Sequence, residues 1–167
     1  FKQNNFLVGI SLDGTPDIHN LYRKNWKGKG SYDKVMEAIK ILTKYNVDFD
    51  ILTVINNINV EKPEELYNFL YNQGFYYMQF IPCVERNSDR NIESFSITPS
   101  KYGDFLCKLF DIWIKKGYPE VYIRGFENLL QKHTGIEPFD CTSQEKCGGY
   151  FVLEYNGDIY PCDFFVE

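Results

Sequence analysis

The sequence predicts an α/β fold: half of a β/α barrel, with about four βα units, followed by a C-terminal β-hairpin. Strand-like apolar runs alternate four times with segments of helical periodicity. A chain of 167 residues is too short for eight such units. The dipeptide Asn156-Gly157, between two alternating segments, predicts the hairpin. A doubly wound parallel sheet is the competing architecture, and both place functional loops at the C-terminal ends of the strands.

The first two strand–helix units follow from their residue types. Residues 5–13, NFLVGISLD, form an apolar run without helical period and predict a strand. Ser31 then begins a segment whose apolar residues are spaced as on one face of a helix. Residues 47–55 predict the second strand because they are rich in β-branched side chains. The next helix begins at Pro63, has two glutamates in its first turn, and ends at Gly74.

The third and fourth units repeat this order. Residues 75–82, FYYMQFIP, predict the third strand. Thr98 and Pro99 fit the N-cap and first position of a long helix that ends at Gly117. Residues 120–125 predict a short fourth strand with a short helix after it. The connections after the first and third strands are predicted to be long polar loops, as a binding site requires.

The charge and hydropathy of the chain exclude two classes of partner. Eighteen Lys and Arg against 23 Asp and Glu give a net charge of −5, and no basic run exceeds two residues. The chain therefore lacks the basic footprint of a nucleic-acid-binding protein. No apolar stretch approaches the roughly 18 residues of a membrane span, and no signal-peptide pattern opens the chain. We expect neither nucleic acid nor a membrane as partner, and a cytoplasmic location.

Three cysteines lie in the C-terminal stretch CTSQEKCGGYFVLEYNGDIYPCD. A two-residue turn at Asn156-Gly157 would place Phe151 opposite Cys162. That pairing brings Cys162 back to within four residues of Cys147, and Cys141 lies six residues further upstream. The three thiols are therefore predicted to converge on one point.

The residues alone leave three kinds of site open at this point. A buried or disulfide-bonded hairpin is disfavoured, because three thiols do not pair and cytosolic disulfides are rare. Zinc sites favour cysteines two to four residues apart, whereas five and fourteen residues separate these. Iron–sulfur ligation accepts thiolates from different segments but needs a fourth ligand. A zinc-binding interaction module on an α/β scaffold is the non-enzymatic alternative.

The segment CGGYFVLEYNGDIYPCD is similar to the opening of the SPASM region of radical S-adenosylmethionine (radical SAM) enzymes. Nine residues separate Cys147 from Gly157, and four separate Gly157 from Cys162, which fits the pattern C-x9–15-G-x4-C. The upstream stretches GISLDGTPDIHNLYR and MQFIPCVE resemble the later half of the TIM-like barrel in anaerobic sulfatase-maturating enzymes. That family also has a cysteine six residues before the SPASM start, as Cys141 stands before Cys147.

The resemblance implies roles in cofactor binding and catalysis. Ser11 and Arg23 would contact S-adenosylmethionine, and Ile81 would give its adenine a backbone or apolar contact. The implied ligands of a first auxiliary 4Fe-4S cluster are Cys141, Cys147 and Cys162. Asp163 would be the base that takes a proton from the substrate side chain, a role that a carboxylate of raised basicity can fill.

The implied activity is oxidation of a cysteine or serine of a sulfatase to formylglycine. The partners would be the sulfatase polypeptide and a protein that donates or accepts electrons. Another SPASM enzyme, which modifies a different peptide, is the alternative within the class.

The cluster motif C-x3-C-x2-C of the family is absent from this sequence. We therefore expect an internal fragment that is inactive alone, with residues 1–138 from the later half of the barrel and residues 139–167 starting the SPASM region. Such a fragment is expected to hold no 4Fe-4S cluster. It is also expected to self-associate through the open edge of its first strand.

Overall fold

The computed structural model of the chain describes residues 1–146 and 149–166, with the side chains of all but Thr142 and Phe164 among them. The chain forms two compact units, Phe1–Gly125 and Phe126–Glu167. No helix in the described ranges is long and apolar enough to cross a membrane.

The first unit contains a four-stranded parallel sheet. Its strands, hydrogen-bonded in chain order, are β1 (Leu7–Ser11), β2 (Asp48–Ile55), β3 (Tyr77–Pro82) and β4 (Tyr122–Ile123). Every neighbouring pair is parallel, so all four strands end at the same edge. The predicted α/β class and the order of the four strands are confirmed. β1 is the first strand of this sheet, and self-association through its outer edge stays a prediction.

Five α-helices occur among the described residues. They are α1 (Pro16–Tyr22), α2 (Tyr32–Lys44), α3 (Pro63–Asn72), α4 (Pro99–Lys116) and α5 (Arg124–His133). Helix α4 begins as predicted, because the Lys101 N–H donates to the Thr98 hydroxyl at 3.3 Å.

Helix α1 lies where the sequence predicted a polar loop. It has only seven residues, too few for an apolar period to be recognised. It begins with Pro16 in its first turn and buries Ile18 and His19. His19 lies on the buried face of α1, but because it is polar it adds nothing to an apolar pattern in the sequence.

Helices α3 and α4 pack against each other and hold much of the core of the first unit. On α4, Phe105, Leu109 and Trp113 are almost completely buried. The Trp113 indole N–H donates to the Val121 carbonyl at 2.6 Å, which joins α4 to the segment that precedes β4.

Gly14, between β1 and α1, is a position where we expect a side chain to be costly. Its φ is +128°, and an added Cβ would lie 3.2 Å from Leu66 Cδ1. Backbone strain of this kind costs about 1–3 kcal/mol, so Gly14→Ala should lower the free energy of unfolding by that amount. Gly103→Ala on α4 is the control, because a Cβ there meets nothing within 4 Å and alanine favours helices by about 1 kcal/mol. Denaturant unfolding in which Gly14→Ala is as stable as the unaltered protein would contradict the expectation.

The second unit contains a β-hairpin whose turn differs from the predicted one. β5 (Val152–Leu153) pairs with β6 (Ile159–Tyr160), with Val152 opposite Tyr160. The Glu154 N–H donates to the Asp158 carbonyl at 2.9 Å, which encloses a three-residue loop rather than a two-residue one. The Asn156 side chain accepts the Asp158 N–H at 3.0 Å, and Gly157 has the positive φ of 92°.

The longer loop shifts the pairing by one residue. Continuing outward from Val152 and Tyr160, the residue opposite Cys162 is Tyr150. The prediction that Phe151 faces Cys162 is therefore wrong. Because side chains alternate between the two faces of a strand, a one-residue shift changes which side chain meets the cysteine.

Candidate functional site

Two of the predicted cofactor residues lie at the C-terminal edge of the parallel sheet. Ser11 ends β1 and is exposed, and Ile81 is the half-buried residue before the end of β3. Ser11 pairs with Leu52 and Ile81 pairs with Val54, two residues apart on β2. By strand alternation, Ser11 and Ile81 therefore point to the same face of the sheet.

Arg23, the third predicted cofactor residue, follows α1 and is held by a carboxylate. Its Nε donates to Asp13 Oδ2 at 2.6 Å, and its Nη2 donates to Oδ1 at 3.3 Å. The Asp13 side chain is only 5% exposed, whereas that of Arg23 is 32% exposed. Asp13 Oδ1 also accepts the Val54 N–H at 2.9 Å, which anchors the pair to β2. The two bonds to Asp13 leave three of the five guanidinium N–H groups of Arg23 for a ligand.

His19, on α1, is completely buried beside this pair. Its Nδ1 accepts the Asp13 backbone N–H at 3.3 Å. A nitrogen that accepts carries no proton, so the neutral ring holds its proton on Nε2 and donates to Ser31 Oγ at 3.0 Å. The Ser31 hydroxyl in turn donates to the Arg23 carbonyl at 2.9 Å. The directions of these hydrogen bonds are mutually consistent only for neutral His19.

Burial lowers the pKa of His19 below its usual 6.5, and the nearby Arg23 charge acts in the same direction, whereas Asp13 opposes it. The Tyr32 ring lies edge-on to the imidazole, 5.9 Å away. Below pH 6.5 the unfolded chain binds a proton at this histidine before the folded chain does. The contribution of His19 to stability is therefore complete above pH 6.5 and falls as the pH drops toward the lowered pKa.

We therefore expect the free energy of unfolding to decrease below pH 6.5, and His19→Gln to reduce that decrease. Denaturant unfolding at a series of pH values measures both slopes. His133→Gln, which replaces the other histidine of the chain at an exposed position on α5, is the matched control. Equal slopes below pH 6.5 for His19→Gln and for the control would contradict the expectation.

Two buried asparagines join the ends of β1 and β2. The Asn59 side chain donates to the carbonyls of Asp13 and Val54, at 3.2 and 2.9 Å. Its own oxygen accepts the Asn56 N–H at 2.8 Å. The short loop after β2 thus fixes the position of Asp13, the residue that holds Arg23.

The second unit brings together two predicted cluster ligands and the predicted base. Tyr150 Oη lies 3.8 Å from Cys141 Sγ and 3.8 Å from Cys162 Sγ. The same hydroxyl donates to Asp163 Oδ1 at 3.0 Å, and Cys162 Sγ donates to that oxygen at 3.2 Å. Cys141, Cys162 and Asp163 therefore meet around one phenol oxygen, and the convergence of all three predicted thiols stays a prediction.

The hydrogen bonds to Cys162, Cys141 and Asp163 raise the pKa of the Tyr150 hydroxyl, in that order of size. The hydroxyl donates its one proton to Asp163 and can accept the S–H of Cys141. Cys162 gives its own S–H to Asp163, so in this arrangement its sulfur lies near the Tyr150 hydroxyl without donating to it. Its protonated state matches its role as donor to Asp163.

The donor set of the second unit fits an iron–sulfur cluster in part. Thiolates are the ligands that such clusters use, and two thiols already face a common point. Cys147, the third predicted ligand, lies outside the described residues. Within the described ranges no group of three or more His, Cys, Asp or Glu side chains could hold a metal ion.

Sequence reasoning missed three residues of these arrangements: Asp13, His19 and Tyr150. Asp13 follows β1 directly, and polar residues at that edge are candidates for a site. Tyr150 would have been found with the correct hairpin register. For His19 the sequence offers no signal, because its burial depends on the unpredicted helix α1.

Comparison with known proteins shows which proteins this chain is similar to. Residues 1–70 match the family model for the radical SAM superfamily. The chain is 45% identical over 169 residues to a cysteine-type anaerobic sulfatase-maturating enzyme of Clostridium novyi, covering 99% of this chain and 45% of that protein. It is 39% identical to the serine-type enzyme of Bacteroides thetaiotaomicron, covering 99% of this chain and 44% of that protein. The chain thus spans less than half the length of these curated relatives.

Solved structures agree with these relatives. A structure of native anSMEcpe with bound AdoMet superimposes with a TM-score of 0.88 at 34% identity, covering 99% of this chain and 46% of that one. Another, with bound AdoMet and Cp18Cys peptide, has a TM-score of 0.87. The predicted resemblance to the anaerobic sulfatase-maturating enzymes is confirmed.

Proposed function

We propose that this chain belongs to the radical SAM family of anaerobic sulfatase-maturating enzymes. On that premise, the protein containing it oxidises a cysteine or serine side chain of a sulfatase to formylglycine. One observation carries the proposal for this chain: a carboxylate, Asp163, lies 3.2 Å from the thiol of Cys162, and Tyr150 joins both to Cys141. A proton acceptor beside thiols of the cluster-ligand type is what this oxidation requires.

S-adenosylmethionine is the proposed cofactor of the first unit. The N–H groups that Arg23 does not use on Asp13 suit a carboxylate, because a guanidinium presents paired donors to two oxygens. The exposed Ser11 hydroxyl is a polar contact for the same ligand, and half-buried Ile81 offers an apolar contact to adenine.

The second unit would hold the first auxiliary 4Fe-4S cluster through Cys141, Cys147 and Cys162. When bound, S-adenosylmethionine and the clusters supply the radical that removes a hydrogen atom from the substrate Cβ and a path for the remaining electron. Asp163 accepts the proton of the substrate thiol or hydroxyl. Hydrogen atom, proton and electron together account for the two-electron oxidation, and an electron-transfer protein is the partner that completes it. With serine the oxidation gives the aldehyde directly; with cysteine it gives a thioaldehyde, which water hydrolyses to the aldehyde with release of hydrogen sulfide.

The proposal extends to the architecture. The four parallel βα units would be half of a TIM-like β/α barrel that the whole protein closes, with residues 1–138 in the barrel and residues 139–167 beginning the SPASM region. A cytoplasmic location belongs to the same proposal.

The test uses the whole natural protein, reconstituted with iron and sulfide without oxygen. It is incubated with S-adenosylmethionine, a reductant and two peptides that differ only in cysteine or serine at the target position. We expect an aldehyde in at least one peptide, detected by mass spectrometry and by a hydrazide reagent. A thioether without aldehyde would instead favour another SPASM activity, and stoichiometric zinc without iron would favour an interaction module.

A further inference from the structure

His19 connects the two ends of the segment between β1 and α2. At the start of the segment its Nδ1 accepts the Asp13 N–H, and at the end its Nε2–H donates to Ser31 Oγ. The ring is completely buried, so no water competes for either bond. One side chain in the middle of α1 thus holds together the two ends of a twenty-residue connection.

Arg23 is attached at both of the points that His19 holds. Its guanidinium is bonded to the Asp13 carboxylate, and its backbone carbonyl accepts the Ser31 hydroxyl at 2.9 Å. Arg23 therefore has its main chain fixed from one end of the connection and its side chain fixed from the other. A shift at either end would move the guanidinium away from a ligand at the sheet edge.

The geometry points to His19, acting through Asp13 and Ser31, as a positioning residue that aims Arg23 at the carboxylate of S-adenosylmethionine. The inference rests on the proposed function and goes beyond it, because it assigns the specificity for the amino-acid end of the cofactor to a buried histidine. His19 touches no ligand in this account. It keeps an arginine, which is partly exposed, in one conformation and so lowers the entropy lost on binding.

A positioning role can be separated from a merely structural one by the choice of ligand. S-adenosylmethionine carries the carboxylate, whereas 5′-methylthioadenosine keeps the nucleoside and lacks the amino-acid end. A change that lets the Arg23 guanidinium leave its position weakens binding of S-adenosylmethionine only. A general disturbance of the sheet edge weakens binding of both.

The experiment measures both dissociation constants for the whole, anaerobically reconstituted protein and its variants. Ser31→Ala removes the hydroxyl between His19 and Arg23, and Ser31→Thr, which keeps a hydroxyl, is the matched control. His19→Phe removes both ring nitrogens at similar volume. Since one hydrogen bond is worth about 1 kcal/mol, we expect Ser31→Ala and His19→Phe to weaken binding of S-adenosylmethionine about fivefold, with 5′-methylthioadenosine unchanged within about twofold.

A double-mutant cycle then tests the route through Arg23. If Ser31 acts only by positioning Arg23, Ser31→Ala should cause no further loss once Arg23→Ala is present. Equal weakening for both ligands, or additive losses in the cycle, would overturn the inference while leaving the proposed function intact. Failure of the unaltered protein to bind S-adenosylmethionine would overturn the proposed function, and the inference with it.

Discussion

Replacing Asp163 by asparagine is expected to reduce formylglycine formation by about 10²- to 10⁴-fold, the usual contribution of a positioned general base. Asparagine keeps the size of the side chain and can still accept the Tyr150 hydroxyl, which donates to Asp163 Oδ1 at 3.0 Å. It cannot take up a proton from the substrate. The rate of aldehyde formation in a single turnover of the whole protein measures the effect.

Asp158→Asn on the same hairpin is the control for a change of charge, since Asp158 closes the loop and its carboxylate accepts the Asn156 side-chain N–H at 2.7 Å. Iron and sulfide analysis of both variants shows whether the clusters remain, because Asp163 adjoins a proposed ligand. Asp163→Asn with full cluster content and a rate within about threefold of the unaltered protein would remove the residue from the role of base, since a general base is worth much more.

The second large effect is on stability and concerns the core rather than the chemistry. Trp113→Ala should lower the free energy of unfolding by about 3–5 kcal/mol, because it leaves a large cavity in a completely buried position. It also leaves the Val121 carbonyl without the indole N–H that now lies 2.6 Å away. Denaturant unfolding, followed by a signal from the first unit, measures the loss.

Two variants divide that loss into its parts. Trp113→Phe keeps an aromatic ring and removes the hydrogen bond, so we expect a smaller cost of about 1–3 kcal/mol. Ile114→Ala, one residue further along α4 and 44% exposed, should cost less than either. A Trp113→Ala protein as stable as Ile114→Ala would show that α4 does not carry the core of the first unit.

The regular part of the fold followed from the sequence because its signals are local. The predicted strand at residues 47–55 overlaps β2, and the predicted cap at Thr98 starts α4, since β-branched runs and N-cap residues act within a few positions. Helix α1 was missed because a seven-residue helix depends on the contacts it makes more than on its own periodicity.

Only those residues of the candidate site that belong to a recognisable motif could be predicted from the sequence. Cysteine spacing indicated that Cys141 and Cys162 approach each other, and both lie near Tyr150 Oη. The partners that hold predicted residues were not visible: the Asp13 carboxylate on Arg23 lies ten residues away along the chain. Such pairs form only when the edge of a sheet and a helix come together in the folded chain. A single sequence does not show which residues that contact brings together.

The register of the hairpin depends on which turn closes it, here a three-residue loop between Glu154 and Asp158. Exchanging Asn156 for another residue costs two side-chain hydrogen bonds to Asp158 and leaves the pairing of the strands as it is. Closing the same segment with a two-residue turn at Asn156-Gly157 would instead pair Tyr155 with Asp158, and Phe151 would replace Tyr150 opposite Cys162. In relatives of this chain, we therefore expect Asn156 to vary more than Gly157, whose φ of 92° suits glycine and belongs to the three-residue loop.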